Sequence, residues 1–405
     1  MGSADLKNPK SSFCILPFVG MSIMSGGQNK PCCKFRDWND QDLAQEKNLS
    51  EIYQSGYYKT LRQQFLSGER PQTCIRCWED EANGIPSFRQ TRNEYYGELF
   101  DDEVIKQPRV KILEYGFGNA CNAACITCES PSSSQWYKDD KALAENPKTK
   151  RLNRPVEKPI RQTYDWSDED FKNLRRLYYT FHESLLSPEL KRHLQRIVNL
   201  GVAPEVQIVL STNGTNIPEP EFLQLLTQFK KVILQISIDG LYEQNDYIRY
   251  PLKWPDVESG VQFWRKVSEA HPNIRPMMRA TISIYNFAGI KDLIEWWQGT
   301  MGAGAKYSLG HCSHPQYLNA SILPKLIKDH YLKNSALPER VRKILTAQNP
   351  SIKDREQHLL NQFYAYTRFL DLRRGLSFKK TFPNLFEQLK SDSNIFDTVK
   401  SLDSL

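Results

Sequence analysis

The 405-residue sequence contains no run of eighteen or more apolar residues, which excludes a helix of bilayer length. Its first residues, MGSADLKNPKSS, lack the apolar stretch of a signal peptide, so a cytoplasmic chain with no membrane partner is expected. There is no internal repeat and no collagen-like or low-complexity bias; 40% hydrophobic and 25% charged residues make an ordinary globular balance that can bury a sizeable core. The net charge of +7 is too diffuse to demand an acidic partner. Cysteine is not scarce: there are nine, eight of them clustered, and in a reducing compartment clustered thiols are metal ligands or catalytic groups more often than disulfides.

Residues 1–104 hold Cys14, Cys32, Cys33, Cys74 and Cys77 among turn signals such as Ser25-Gly26-Gly27, the pattern of a small module tied by something other than a large core. A helix is expected from Ile52 to Leu66. From Val110 onward short apolar runs alternate with amphipathic stretches. Strands are expected at 110–115, 177–180, 206–210, 232–238, 276–284 and 306–309. Helices are expected near 188–200, 219–229, 257–269 and 290–297. Six such units predict an α/β fold, a partial (β/α)6 TIM-like barrel over 105–320, with chemistry at the C-terminal ends of its strands. Residues 138–162 carry eight basic residues, four acidic ones and three prolines without apolar periodicity, and read as a flexible basic loop. Residues 321–405 read as a helical extension with Ile344, Leu359, Leu360, Phe363, Tyr366, Phe369 and Leu370 at helical spacing.

The first barrel strand runs into Gly116-Phe117-Gly118-Asn119-Ala120-Cys121-Asn122-Ala123-Ala124-Cys125-Ile126-Thr127-Cys128. Three cysteines on one such loop can bind three irons of a [4Fe-4S] cube and leave the fourth open, whereas zinc needs a fourth ligand. The Cys-x3-Cys-x2-Cys spacing, with Ser211-Thr212-Asn213-Gly214 and Ser237-Ile238-Asp239-Gly240 further on, resembles the radical S-adenosylmethionine (radical SAM) superfamily. That resemblance implies that Cys121, Cys125 and Cys128 hold the cluster that cleaves S-adenosylmethionine to a 5′-deoxyadenosyl radical. It also implies cofactor-binding roles for Glu183, Thr212, Asn213, Ser237, Asp239 and Arg249. An arginine shortly after a strand-four serine suits a carboxylate through paired hydrogen bonds.

Two positions depart from the family pattern. Thr127 stands where an aromatic residue is common, and Phe181-His182-Glu183 stands where Gly-Gly-Glu is common, which makes His182 a candidate catalytic group. Cys312, between His311 and His314 after the last strand, is a second candidate, as a hydrogen-atom donor or acid/base group. Tyr115, Asp239, Arg279 and Tyr285 could face the cavity.

By spacing alone, Cys14, Cys32, Cys74 and Cys77 fit zinc or a fully ligated [4Fe-4S] cluster equally. Their order with Gly27 resembles the twitch (SPASM-like) auxiliary domain, here N-terminal to the barrel, which implies a second [4Fe-4S] cluster; the distance from Gly27 assigns Cys32, with Cys33 as the fallback. The resemblance further implies a peptide or protein side chain as substrate, or a small molecule such as a sugar or nucleotide, and a reducing partner such as flavodoxin or ferredoxin. The contrasting class is a zinc-stabilised nucleic-acid-binding protein. It is disfavoured because 138–162 has no interleaved aromatics.

Overall fold

The computed structural model describes residues 11–23, 29–35, 49–82, 86–159, 166–347, 352 and 355–391. Gly26, Gly27 and Gly84, flanking positions of the cysteine pattern, lie outside the described residues.

Eight strands form one sheet in the order β2-β1-β3-β4-β5-β6-β7-β8. They are β1 (Gly20–Ile23), β2 (Asn29–Lys30), β3 (Ile112–Tyr115), β4 (Arg176–Tyr179), β5 (Gln207–Thr212), β6 (Lys231–Ser237), β7 (Ile274–Ile282) and β8 (Tyr307–His311). The six expected strands are β3 to β8, each within a few residues of its expected span. The connections from β4 onward carry helices α5 (Pro188–Asn199), α6 (Pro220–Thr227), α7 (Tyr242–Ile248), α8 (Trp254–Ala270) and α9 (Ile290–Met301). Strands alternating with helices in sequential parallel order make the α/β TIM-like core.

The N-terminal cysteine-rich segment departs from expectation by supplying two further strands. β1 pairs in parallel with β3, Gly20 opposite Ile112, and β2 returns antiparallel against β1. Gly20-Met21-Ser22-Ile23 is buried throughout, so its apolar residues extend the sheet. The expected helix over 52–66 is broken into Leu49–Tyr53 and α1 (Gly56–Leu66), interrupted at Gln54-Ser55. Two more helices complete this segment, α2 (Ile75–Ala82) and α3 (Phe88–Tyr96).

By contacts the chain divides into two compact units that interleave in sequence. One comprises 1–119, 160–210 and 218–233, the other 120–159, 211–217 and 234–405. The expected succession 1–104, 105–320 and 321–405 runs along the chain, and both units draw on more than one of those segments. In the first unit, Phe13, Phe18, Phe65, Trp78 and Phe100 form a core around the N-terminal cysteines. Alternation along β6 buries Val232, Leu234 and Ile236 and leaves Lys231, Ile233, Gln235 and Ser237 half-buried.

One glycine positions a turn. A Cβ on Gly260 of α8 would lie 1.7 Å from the Gly214 carbonyl oxygen, so only glycine lets this helix seat against the turn after β5. Gly214 itself has φ +87°.

The basic segment is not the flexible loop its composition suggests. Tyr137–Glu145 is a helix (α4), Lys150–Leu152 a 3-10 turn, and Asp140, Leu143 and Arg154 are buried. Charged residues here are partly internal, so charge density alone misreads it. The C-terminal extension is helical as expected, with α10 (Lys325–Asn334), α11 (Glu339–Thr346) and α12 (Glu356–Arg374). Among the described residues no helix is long and apolar enough to cross a membrane.

Candidate functional site: two thiol clusters

All nine cysteines are free thiols. Cys121, Cys125 and Cys128 lie on the irregular segment after β3, which belongs to the second unit. Burial pushes the Cys125 and Cys128 thiols up; for Cys128 the neighbouring Cys125 and Cys121 add to the rise, which places the three sulfurs within electrostatic reach. Cys121 Sγ accepts the Ala123 N–H at 3.4 Å. The Arg249 guanidinium lies 3.7 Å from Cys125 Sγ and lowers its pKa against the burial.

Arg249 is itself buried and pairs with the fully buried Asp239 at 2.7 Å. Burial opposes its charge, but Asp239, then Cys125 and Cys121, hold its pKa above the ordinary arginine value. Asp239 also accepts the Thr281 N–H at 2.7 Å. The two residues expected to seat the cofactor's carboxylate and neighbouring groups are thus paired to each other beside the cysteine loop.

Asn213 and Thr212 serve the turn that Gly260 seats. Asn213 Nδ2 donates to Asn122 Oδ1 at 2.6 Å, its Oδ1 accepts the Thr215 N–H at 3.0 Å, and Thr212 Oγ1 accepts the Gly214 N–H at 3.1 Å. The Ser-Thr-Asn-Gly turn is thereby fastened to the residue following the first cysteine. Ser237 ends β6 half-buried.

Glu183 and His182 belong to the first unit. Glu183 is 1% exposed and its carboxylate accepts the Leu185 N–H at 3.4 Å, capping a short 3-10 turn. His182 has the left-handed backbone (φ +47°) that a glycine would adopt freely and a bulky residue adopts rarely. Its Nε2 accepts the Phe117 N–H at 3.1 Å, and burial pushes its pKa down to about 4, which leaves the ring neutral at pH 7.

Cys312 is buried and donates to the His314 carbonyl at 3.4 Å. Burial, then Asp239, pushes its thiol up to about 12. Its flanking histidines are exposed, and the His311 ring lies against Arg340, so the three do not gather into an acid/base set. Of the four residues considered for the cavity, Tyr115, Asp239 and Tyr285 are buried. Arg279 is exposed, and its Nη1 donates to Gln235 Oε1 at 3.1 Å on the half-buried face of β6.

The N-terminal thiols form the second cluster, within the first unit. Cys14, Cys32, Cys74 and Cys77 line one cavity together with Leu16, Phe35, Phe65 and Arg89. Cys33 is exposed and does not line it. Burial raises the Cys14, Cys32 and Cys74 thiols, and in each case another member of the set raises them further; Cys74 is pushed up to about 12. A single tetrahedral zinc, with Zn–S bonds of about 2.3 Å, would need sulfurs about 3.8 Å apart. Among the described residues no three His, Cys, Asp or Glu side chains are gathered tightly enough to hold one ion.

The residues after Cys77 frame this cavity. Glu81 accepts from Ser87 Oγ at 2.6 Å and from Arg89 Nε at 2.9 Å, and Arg89 Nη1 donates to the Phe13 carbonyl at 2.6 Å. Asn93 donates to the Phe13 carbonyl at 2.8 Å and accepts the Ile15 N–H at 2.9 Å, so α3 fixes both sides of Cys14.

A three-thiol loop after the first strand of a parallel barrel core defines the class of site. Residues 115–279, from the last residue of β3 through most of β7, match the family model described as the Radical SAM superfamily. Over that segment the chain is similar to the radical SAM superfamily, whose members are iron–sulfur enzymes that use S-adenosylmethionine. No curated protein matches the chain. Among solved structures it is similar to native anSMEcpe with bound AdoMet, at 14% identity over 48% of this chain and 50% of that one, TM-score 0.34. It is also similar to Streptococcus suis SuiB bound to precursor peptide SuiA, at 11% identity over 69% of this chain and 57% of that one, TM-score 0.35. The chain therefore spans about half to three-fifths of the length of these two proteins.

Proposed function

We propose that the chain is a radical SAM enzyme with two [4Fe-4S] clusters. The observation that carries this reading is the Cys121, Cys125 and Cys128 set on a loop after β3, with the buried Arg249 cation turned to Cys125. Thiolate is the ligand iron–sulfur clusters take, and a neighbouring guanidinium offsets the negative charge that three thiolates bring into a buried site. When bound, the cluster and S-adenosylmethionine supply a one-electron cleavage of the sulfonium and a carbon radical that takes hydrogen from a substrate.

The chain's own residues then have separate roles. Asp239 holds Arg249 in place. Thr212 and Asn213 shape the turn that clasps Asn122. Ser237 joins those residues of the second unit as a ligand for the cofactor's methionyl end, and Glu183 of the first unit keeps the cofactor-binding role that the resemblance implies. Cys312, whose proton is retained far above pH 7, is suited to give up a hydrogen atom, and the neutral His182 to accept a hydrogen bond.

Cys14, Cys32, Cys74 and Cys77 would hold the auxiliary cluster. Four thiols lining a shared cavity are a donor set that either zinc or a fully ligated [4Fe-4S] cluster takes, and the twitch-like cysteine order favours the cluster. In domain terms 1–104 is then the auxiliary-cluster segment, 105–320 the radical SAM barrel and 321–405 the extension. The substrate we favour is a peptide or protein side chain, as the twitch-like cysteine order suggests, with reduction by a flavodoxin or ferredoxin in the cytoplasm. Comparative mass spectrometry of lysate peptides, incubated with the enzyme and S-adenosylmethionine under reducing conditions or with a variant lacking the three loop cysteines, should reveal a peptide altered only by the former. A changed sugar or nucleotide pool with unaltered peptides would favour the small-molecule reading instead.

A further inference from the structure

The cysteine loop is gripped by a run of five side chains that come from four separate stretches of the second unit. The rings of Tyr366 and Trp136 are nearly parallel at 12°, and the Arg154 guanidinium lies over both, 5.4 Å and 4.5 Å from their centroids. Arg374 lies over Trp136 at 4.4 Å and over Tyr250 at 4.8 Å. The order Tyr366, Arg154, Trp136, Arg374, Tyr250 thus alternates aromatic rings with guanidinium groups, an arrangement favoured by the ring quadrupole.

Each member also reaches the backbone of the loop. Tyr366 donates its hydroxyl to the Ile126 carbonyl at 2.7 Å, and Arg154 Nη2 donates to the Cys128 carbonyl at 2.5 Å. Trp136 Nε1 donates to the Cys125 carbonyl at 2.9 Å and Arg374 Nη1 to the Ala124 carbonyl at 2.9 Å. The Tyr250 carbonyl accepts the Ala124 N–H at 2.6 Å. Both cations are neutralised locally: Asp140 meets Arg154 at 2.8 Å, and Asp139 meets Arg374 at 3.0 Å. The arginine side chains are each 2% exposed, so the paired charges need not be lost to hold the stack.

We propose that this stack is a clamp that fixes the 124–128 backbone in the conformation that presents its thiols, with Trp136, Arg154, Tyr366 and Arg374 as positioning residues. This proposal rests on the reading that those thiols hold a cluster. It explains two segments that the core itself does not require. The basic stretch 138–159 supplies Arg154 with both aspartates, and α12 supplies Tyr366 and Arg374. A loop whose carbonyls are satisfied by fixed side chains loses little conformational freedom when metal arrives.

The test is hydrogen–deuterium exchange on the full chain, purified anaerobically, for Tyr366→Phe, which removes only a hydroxyl, and Arg374→Gln. Removing one such hydrogen bond from a buried carbonyl should speed exchange of a peptide spanning 119–130 about tenfold. A peptide covering 188–199 should stay unchanged. Wild-type exchange at 119–130 in both variants would overturn the clamp, as would equal acceleration everywhere, which marks general destabilisation. Iron content separates this result from the reading beneath it. Should 119–130 respond as expected while alanine at all three loop cysteines leaves the iron intact, the clamp stands and the cluster assignment falls.

Discussion

Replacing Cys121, Cys125 and Cys128 together with alanine should lower the iron content of anaerobically purified protein from about eight to about four per chain and abolish 5′-deoxyadenosine formation under dithionite. The size of the effect follows from the site. The three thiols lie on one short loop within electrostatic reach of one another, and Arg249 acts on two of them, Cys125 and Cys121. No other described cysteine lies on that loop. The variant should stay folded, because Trp136, Arg154, Tyr366 and Arg374 still hydrogen-bond the loop carbonyls when the sulfurs are gone. Colourless wild-type protein containing zinc would remove the enzyme reading at its base.

The second large effect separates the two clusters. Cys74→Ser with Cys77→Ser should remove about four irons while the brown colour persists at reduced intensity and S-adenosylmethionine is still cleaved. Cys33→Ser should change neither, because Cys33 is exposed and outside the cavity that the other four thiols line. Iron and acid-labile sulfide assays with 5′-deoxyadenosine quantified by chromatography read both. Loss of four irons in Cys33→Ser would transfer the ligand role from Cys32 to Cys33, and full iron in the double serine variant would refute an auxiliary cluster at this cavity. Serine keeps the side-chain volume close to that of cysteine in a pocket framed by the Glu81–Arg89 pair, which limits the structural penalty.

The strand and helix order of the core was legible because its signals are local. Apolar runs at β3 to β8 alternate with amphipathic helices in the order that the fold keeps. The Cys-x3-Cys-x2-Cys loop was legible for the same reason. What pattern could not reach was pairing across distance. Arg154 reads as one more cation in a basic stretch, and only the fold sets it against Trp136 and the far more distant Tyr366. Tyr366 reads as a core position of an amphipathic helix, although its hydroxyl is what meets the loop. Arg249 and Asp239 each match a cofactor ligand of the family pattern, and a sequence does not disclose that they meet each other at 2.7 Å. Nor does it disclose that β1 joins β3: a four-residue buried strand amid cysteines and turns carries too short a period to register.

The proposed chemistry requires that the loop cluster keep one iron free of protein ligands for S-adenosylmethionine. Electron–nuclear double resonance on the reduced protein, with S-adenosylmethionine labelled with 17O in its carboxylate and 15N in its amino group, tests this most directly. Hyperfine coupling from both labels, absent in the triple-alanine variant, is the expected result; a reduced loop cluster that shows neither coupling with the labelled cofactor bound would contradict it.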